Sequence, residues 1–148
     1  VTVSDYELME AFLLLVEKHK IIAENSGILS VAGLKKLETK GKKVVSLISG
    51  GNIDVTMLSL IIDKGLVKSF RKMNLIVTLM DKPGALMHLT DVFAQCSANI
   101  VEIGFDRNSV KLEFGEAYVN IALATKGEEH QEQIRENLKQ NGYRFKQI

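Results

Sequence analysis

The sequence predicts an α/β segment over residues 1–68, followed by an α+β unit of βαββαβ order over residues 69–148. Two observations carry that division. The apolar run Val44, Val45, Leu47 and Ile48 lies between helical patterns and reads as a strand buried on both faces, as in a parallel sheet. From Met73 onward the pattern changes to strands of alternating polarity, interleaved with two amphipathic helical stripes.

In chain order, Ser4-Asp5-Tyr6-Glu7 has the spacing of a capping box, so a helix is expected to run to about Lys18. Its body, from Leu8 to Val16, is apolar on nearly every side and calls for neighbours on several faces. A second helix is expected over 26–37, where Gly27, Ser30, Ala32 and Gly33 permit close backbone approach. The strand of 44–48 should then lead through Ser49-Gly50-Gly51-Asn52 into a helix over 54–64, with Gly65 as its stop. The strand's hydrogen-bonding partners are not among these residues, so residues 1–68 read as the tail of a larger domain truncated at Val1. The basic stretch 64–72 is expected to be the domain boundary, with Ser69-Phe70-Arg71-Lys72 a solvated linker.

The second half is predicted as a strand over 75–81, a helix opened by Pro83-Gly84 with Leu86, Leu89, Phe93 and Cys96 on one stripe, and a strand over 99–106. A turn near 108–115, a strand over 118–124, a polar helix over 128–140 with Ile134 and Leu138 inward, and a strand over 143–148 complete it. This order is the ferredoxin-like arrangement: four antiparallel strands with both helices on one face.

Composition narrows the function. With 19 Lys and Arg against 18 Asp and Glu, the net charge of +1 leaves no electrostatic footprint for nucleic acid. Apolar runs such as 11–16 fall short of the roughly 18 residues a membrane span needs. No secretory leader opens the chain, and the single cysteine, Cys96, forms no internal disulfide, so a reducing cytoplasm is the expected setting. His19, His88 and His130 stand singly without metal-ligand spacing, and no metal site is expected.

Two turns carry chemistry. At Ser49-Gly50-Gly51-Asn52, glycines between a strand and a helix give either a tight connection capped by Asn52 or Asp54, or a close approach to a ligand with Ser49 facing it. At Asp81-Lys82-Pro83-Gly84-Ala85-Leu86, proline suits a helix's first turn, and the free amides there can hold a carboxylate. Gly84 would keep side chains clear of it.

Val44-Val45-Ser46-Leu47-Ile48-Ser49-Gly50-Gly51-Asn52-Ile53-Asp54 resembles the C-terminal part of the catalytic domain of pyridoxal-phosphate-dependent serine/threonine dehydratases. Ile22-Ala23-Glu24-Asn25-Ser26-Gly27 resembles the Glu-x-x-Gly segment preceding it. The second half resembles an ACT regulatory domain, through the Asp81–Leu86 motif and Asn99-Ile100 at the start of its second strand. A catalytic tail followed by one ACT domain is similar to the threonine dehydratase (threonine ammonia-lyase) family. The resemblance implies a fold-type II pyridoxal phosphate enzyme that deaminates threonine, and serine, to a 2-oxo acid and ammonia. Ser49 would meet the cofactor's pyridine nitrogen, Gly50 would keep the approach clear, and Glu24 would sit near the ring face. Asp81, Gly84, Ala85, Leu86, Asn99 and Ile100 would bind isoleucine or valine, with the ACT domain joining subunits in a homo-oligomer. Phe105 of Phe105-Asp106-Arg107 stands where related dehydratases often carry a histidine. The family's cofactor-anchoring lysine, in a Ser-Phe/Tyr-Lys-x-Arg-Gly motif, is not in this sequence, since Ser69-Phe70-Arg71-Lys72 has arginine at the lysine position. The chain alone is therefore expected to be inactive. The alternatives are a stand-alone amino-acid-binding ACT module and a related pyridoxal serine lyase or racemase.

Overall fold

A computed structural model describes residues 1–148, which divide into two compact units, Val1–Gly65 and Leu66–Ile148. No helix is long and apolar enough to cross a membrane.

The first unit is helical. Helix α1 (Asp5–Leu14) starts on the capping box expected at Ser4. The Glu7 amide donates to Ser4 Oγ at 3.3 Å, and the Ser4 amide donates to Glu7 Oε2 at 2.7 Å. A wide turn over Leu15–His19 ends at Lys20, whose φ of 58° closes the segment in the left-handed region. Of the apolar body, Ala11, Phe12 and Leu15 are buried with Ala23, Ile28, Ala32 and Ile61, whereas Leu14 is exposed.

The single helix expected over 26–37 is three short pieces: a 3-10 turn Ser26–Ile28, helix α2 (Leu29–Gly33) and a second 3-10 turn Leu34–Lys36. Two glycines and the β-branched Ile28 and Val31 make it a weak helix former.

The strand expected over 44–48 is absent. These residues have no regular structure, and Val45 and Leu47 are 93% and 76% exposed. A strand is held by ladder bonds to neighbours, and the first unit contains no other strand to supply them. Side-chain bonds hold the segment instead: Ser30 Oγ donates to the Leu47 carbonyl at 2.5 Å and Ser46 Oγ to Ser30 Oγ at 2.9 Å. The α/β class is thus not realised in residues 1–65, whose regular elements are all helical.

Helix α3 (Val55–Lys68) passes straight through Gly65, the expected stop. That glycine is buried, and a Cβ on it would overlap the side chain of Leu13. The helix ends instead at Phe70, with φ of 57°, where the Phe70 amide donates to Val67 O at 3.1 Å and Arg71 to Leu66 O at 2.8 Å. Of the expected linker 69–72, Ser69, Phe70 and Arg71 form an exposed turn and Lys72 opens the first strand, and Thr125 Oγ1 donates to the Phe70 carbonyl at 2.6 Å.

The second unit has strands β1 (Lys72–Met80), β2 (Asn99–Asp106), β3 (Glu116–Ala124) and β4 (Arg144–Gln147), with helices α4 (Ala85–Gln95) and α5 (Glu128–Gln140). The sheet order is β2-β3-β1-β4 with every neighbouring pair antiparallel, which is the ferredoxin-like topology the alternation predicts. Alternation assigns the faces. Met73, Leu75, Val77 and Leu79 of β1 and Val119, Ile121 and Leu123 of β3 are buried with Leu89, Phe93 and Cys96 of α4 and Ile134 and Leu138 of α5. Both helices therefore cover one face of the sheet. Gln131, 1% exposed, is tolerated in that core because its amide donates to Lys72 O at 3.2 Å and to Thr125 Oγ1 at 3.1 Å. A register shift between Ile100 and Glu102 puts Val101 into solvent on the edge strand β2.

Candidate functional site

In the first unit the fold brings Glu24, Ser49 and Gly50 together. The Ser49 amide donates to Gly27 O at 3.2 Å, and Ser26 Oγ donates to Glu24 Oε1 at 2.7 Å. Glycine is required twice over here. A Cβ on Gly27 would overlap the carbonyl oxygen of Ser49, and one on Gly50, whose φ is 73°, would overlap the Glu24 carboxylate. Glu24 is half-buried against this turn, its carboxylate beside the bare backbone of Gly50, while Ser49 and Gly50 are exposed. The helix that follows the turn makes its first backbone bond from the Leu58 amide to the Asp54 carbonyl at 2.9 Å.

In the second unit the chemistry gathers at one edge of the sheet. Both β1 and β2 run antiparallel to β3, so they are parallel to each other, and the turn after β1 emerges beside the end of β2. Between them lies a cleft of about 400 Å³ lined by Asp81, Gly84, Ala85 and Leu86 together with Phe105 and Arg107. Its inner wall is the buried pair Leu79 and Ala117. Gly84 has φ of 85° and precedes α4; a Cβ there would meet nothing within 4 Å. The positive φ calls for glycine on backbone grounds, and the position is open at the cleft it lines. Valine at that position would strain the turn itself.

Asn99 and Ile100 do not join this cleft. They open β2, and the cleft is at its far end, about 20 Å along a strand of this length. Asn99 pairs with Ala124, and Ile100 packs on the core.

What the sequence reading missed is an ion pair. Arg107 Nε donates to Asp81 Oδ2 at 2.6 Å and its Nη2 to Oδ1 at 3.3 Å, a two-point contact across the cleft. The guanidinium carbon stands 5.0 Å from the centre of the Phe105 ring. The hydrogen bond from Arg107 holds the Asp81 carboxyl below its ordinary range, and Asp81 in turn raises Arg107. Phe105-Asp106-Arg107 is visible in the sequence, but its partner Asp81 belongs to a different strand end, and only the fold joins them. Elsewhere, Cys96 is buried as its helical stripe predicts, and burial raises its thiol.

Over 144 residues, 97% of this chain, the sequence is 43% identical to an L-threonine ammonia-lyase of Thermotoga maritima, of which it covers 36%. The chain is a relative of the threonine ammonia-lyases. An L-threonine ammonia-lyase of Geobacter sulfurreducens is 37% identical over 145 residues, with 36% of it covered. A biosynthetic L-threonine dehydratase of Mycobacterium leprae is 35% identical over 125 residues, 84% of this chain and 29% of that one. The chain thus spans about a third of the length of the threonine ammonia-lyases it matches. No family model matches it. A solved prephenate dehydratase from Streptococcus mutans aligns with 52% of this chain and 40% of its own, at 27% identity and a TM-score of 0.44.

Proposed function

We propose that this chain is part of a threonine ammonia-lyase that deaminates threonine, and serine, to a 2-oxo acid and ammonia. In this reading the first unit is the C-terminal part of the catalytic domain and the second is an amino-acid-sensing ACT domain that joins subunits. The observation that carries it is the 43% identity to an L-threonine ammonia-lyase over 97% of the chain. The juxtaposition of Glu24, Ser49 and Gly50 supports the first assignment, and the cleft at Asp81–Leu86 supports the second.

Pyridoxal phosphate, when bound, supplies the electron sink that labilises the bond to the substrate's α-hydrogen. Ser49 would offer its hydroxyl to the ring nitrogen, with the bare backbone of Gly50 allowing the approach and Glu24 beside it. A neutral hydroxyl there leaves the ring a weaker sink than a carboxylate would, which suits elimination, where the leaving hydroxide departs quickly. In the full-length parent, Ser49→Ala is expected to keep the cofactor's absorbance and lose much of the rate. An unchanged rate would make Ser49 structural. The 148-residue chain alone, which lacks the anchoring lysine motif, is expected neither to hold the cofactor covalently nor to turn over threonine.

The sensing assignment is tested by calorimetric titration of the chain with isoleucine, expected to bind first, and valine, second. The cleft's walls of Leu79, Ala85, Leu86 and Ala117 suit a branched aliphatic side chain. Absence of binding by either at millimolar concentration overturns it.

A further inference from the structure

In the cleft between the turn after β1 and the end of β2, the opposite charges of Asp81 and Arg107 are spent on each other, with Lys82 also on the lining. We propose that a free α-amino acid enters by dividing this pair, its carboxylate taken by Arg107 and its ammonium by Asp81. The inference rests on the reading of the cleft as an amino-acid site and names the residues that recognise the ligand's two charges.

Three features support it. The Arg107 and Asp81 side chains are 56% and 38% exposed, and ion pairs in water are weak, so opening this one costs little. Arg107 also rests near the Phe105 ring, its carbon 5.0 Å from the centroid, a second contact that keeps the guanidinium at the cleft when its carboxylate partner changes. Charge balance completes the argument. The pair is neutral and so is a zwitterion; inserting one into the other leaves these four charges in two pairs. A 2-oxo acid brings only the anion and would leave Asp81 unmatched, and an amino-acid amide brings only the cation and would leave Arg107 unmatched. The cleft would thus separate an amino acid from the 2-oxo acid that deamination makes of it. Lys82 also lines the cleft, but it has no such partnership across it, and the pairing assigns the carboxylate to Arg107.

The experiment is calorimetry on the 148-residue chain with L-isoleucine, isoleucinamide and 3-methyl-2-oxopentanoate, the last two each lacking one charge. Wild type is expected to prefer isoleucine to both analogues by about tenfold or more. Arg107→Gln and Asp81→Asn should each weaken isoleucine by a similar factor with an unchanged melting profile, while Lys82→Gln stays within about threefold of wild type. Isoleucine binding in which the analogues bind equally well, or in which Lys82→Gln and not Arg107→Gln is damaging, overturns the divided pair and leaves the amino-acid cleft standing. The analogue comparison needs no variant to fold. If isoleucine does not bind wild type at all, the reading of the cleft falls, and the divided pair falls with it.

Discussion

Gly27 shows how much a single residue decides. Its missing side chain lets the 26–28 turn lie directly against the Ser49 carbonyl, and so sets where the Ser49-Gly50 turn stands relative to Glu24. The obstacle to a larger residue is backbone, which cannot rotate away as a side-chain end can. Gly27→Ala is therefore expected to destabilise the chain by ~2 kcal/mol or more in denaturant unfolding. Gly51→Ala, where a Cβ meets nothing within 4 Å and no unusual φ is required, should stay within about 0.5 kcal/mol. Equal effects at the two positions would contradict the packing argument. The small residues of 26–33 announce close approach in the sequence, but not that the approaching atom is the Ser49 carbonyl. The pairing of Arg107 with Asp81 was illegible for the same reason: Asp81 stands in the Asp81–Leu86 motif and Arg107 in Phe105-Asp106-Arg107, and only the parallel ends of β1 and β2 bring the two charges face to face.

Among the elements, those with local signals were legible and those that depend on partners were not. The capping box at Ser4 is local, and α1 starts there. The helix over Glu128–Gln140 and the strand over Asn99–Asp106 were read to the residue, because their periodicities are carried by their own side chains. The stretch 44–48 has the composition of a buried strand, yet nothing in residues 1–65 supplies its ladder, and it lies open. Gly65 looked like a helix stop because glycine commonly is one, but here it admits Leu13. Replacing Ser4 by Ala should cost about 1 kcal/mol, since it frees an amide of the first turn. The same cap predicts a pH dependence. Glu7 is held at about 2, below its ordinary 4.5, chiefly by the hydrogen bond from Lys36 and then by the Ser4 amide. A carboxyl depressed in the folded state stabilises it fully above about 4.5, and that contribution is lost as pH falls toward about 2. Urea unfolding followed from pH 6 to pH 2 should therefore have a shallower acid decline in Glu7→Gln than in wild type; superimposable profiles would show that Glu7 contributes nothing.

For the molecule as a whole, the first of two compact units brings Glu24 against the Ser49-Gly50 turn, and the second holds a cleft spanned by an ion pair; the proposed function makes the one part of a catalytic site and the other a regulatory site. In a parent lyase the second would control the first only through linkage. A ligand that favours one state of the regulatory domain shifts the catalytic state by its differential affinity, typically ~1 to 3 kcal/mol. A mutation that abolishes binding in the cleft should thus leave the basal rate intact and remove the response. The most direct measurement is the rate at which the full-length parent forms 2-oxobutanoate from threonine, with and without isoleucine. The expected result is turnover of threonine that changes on adding isoleucine in the wild type and not in Arg107→Gln. A full-length protein, loaded with pyridoxal phosphate, that releases no 2-oxobutanoate from threonine would contradict the proposed function.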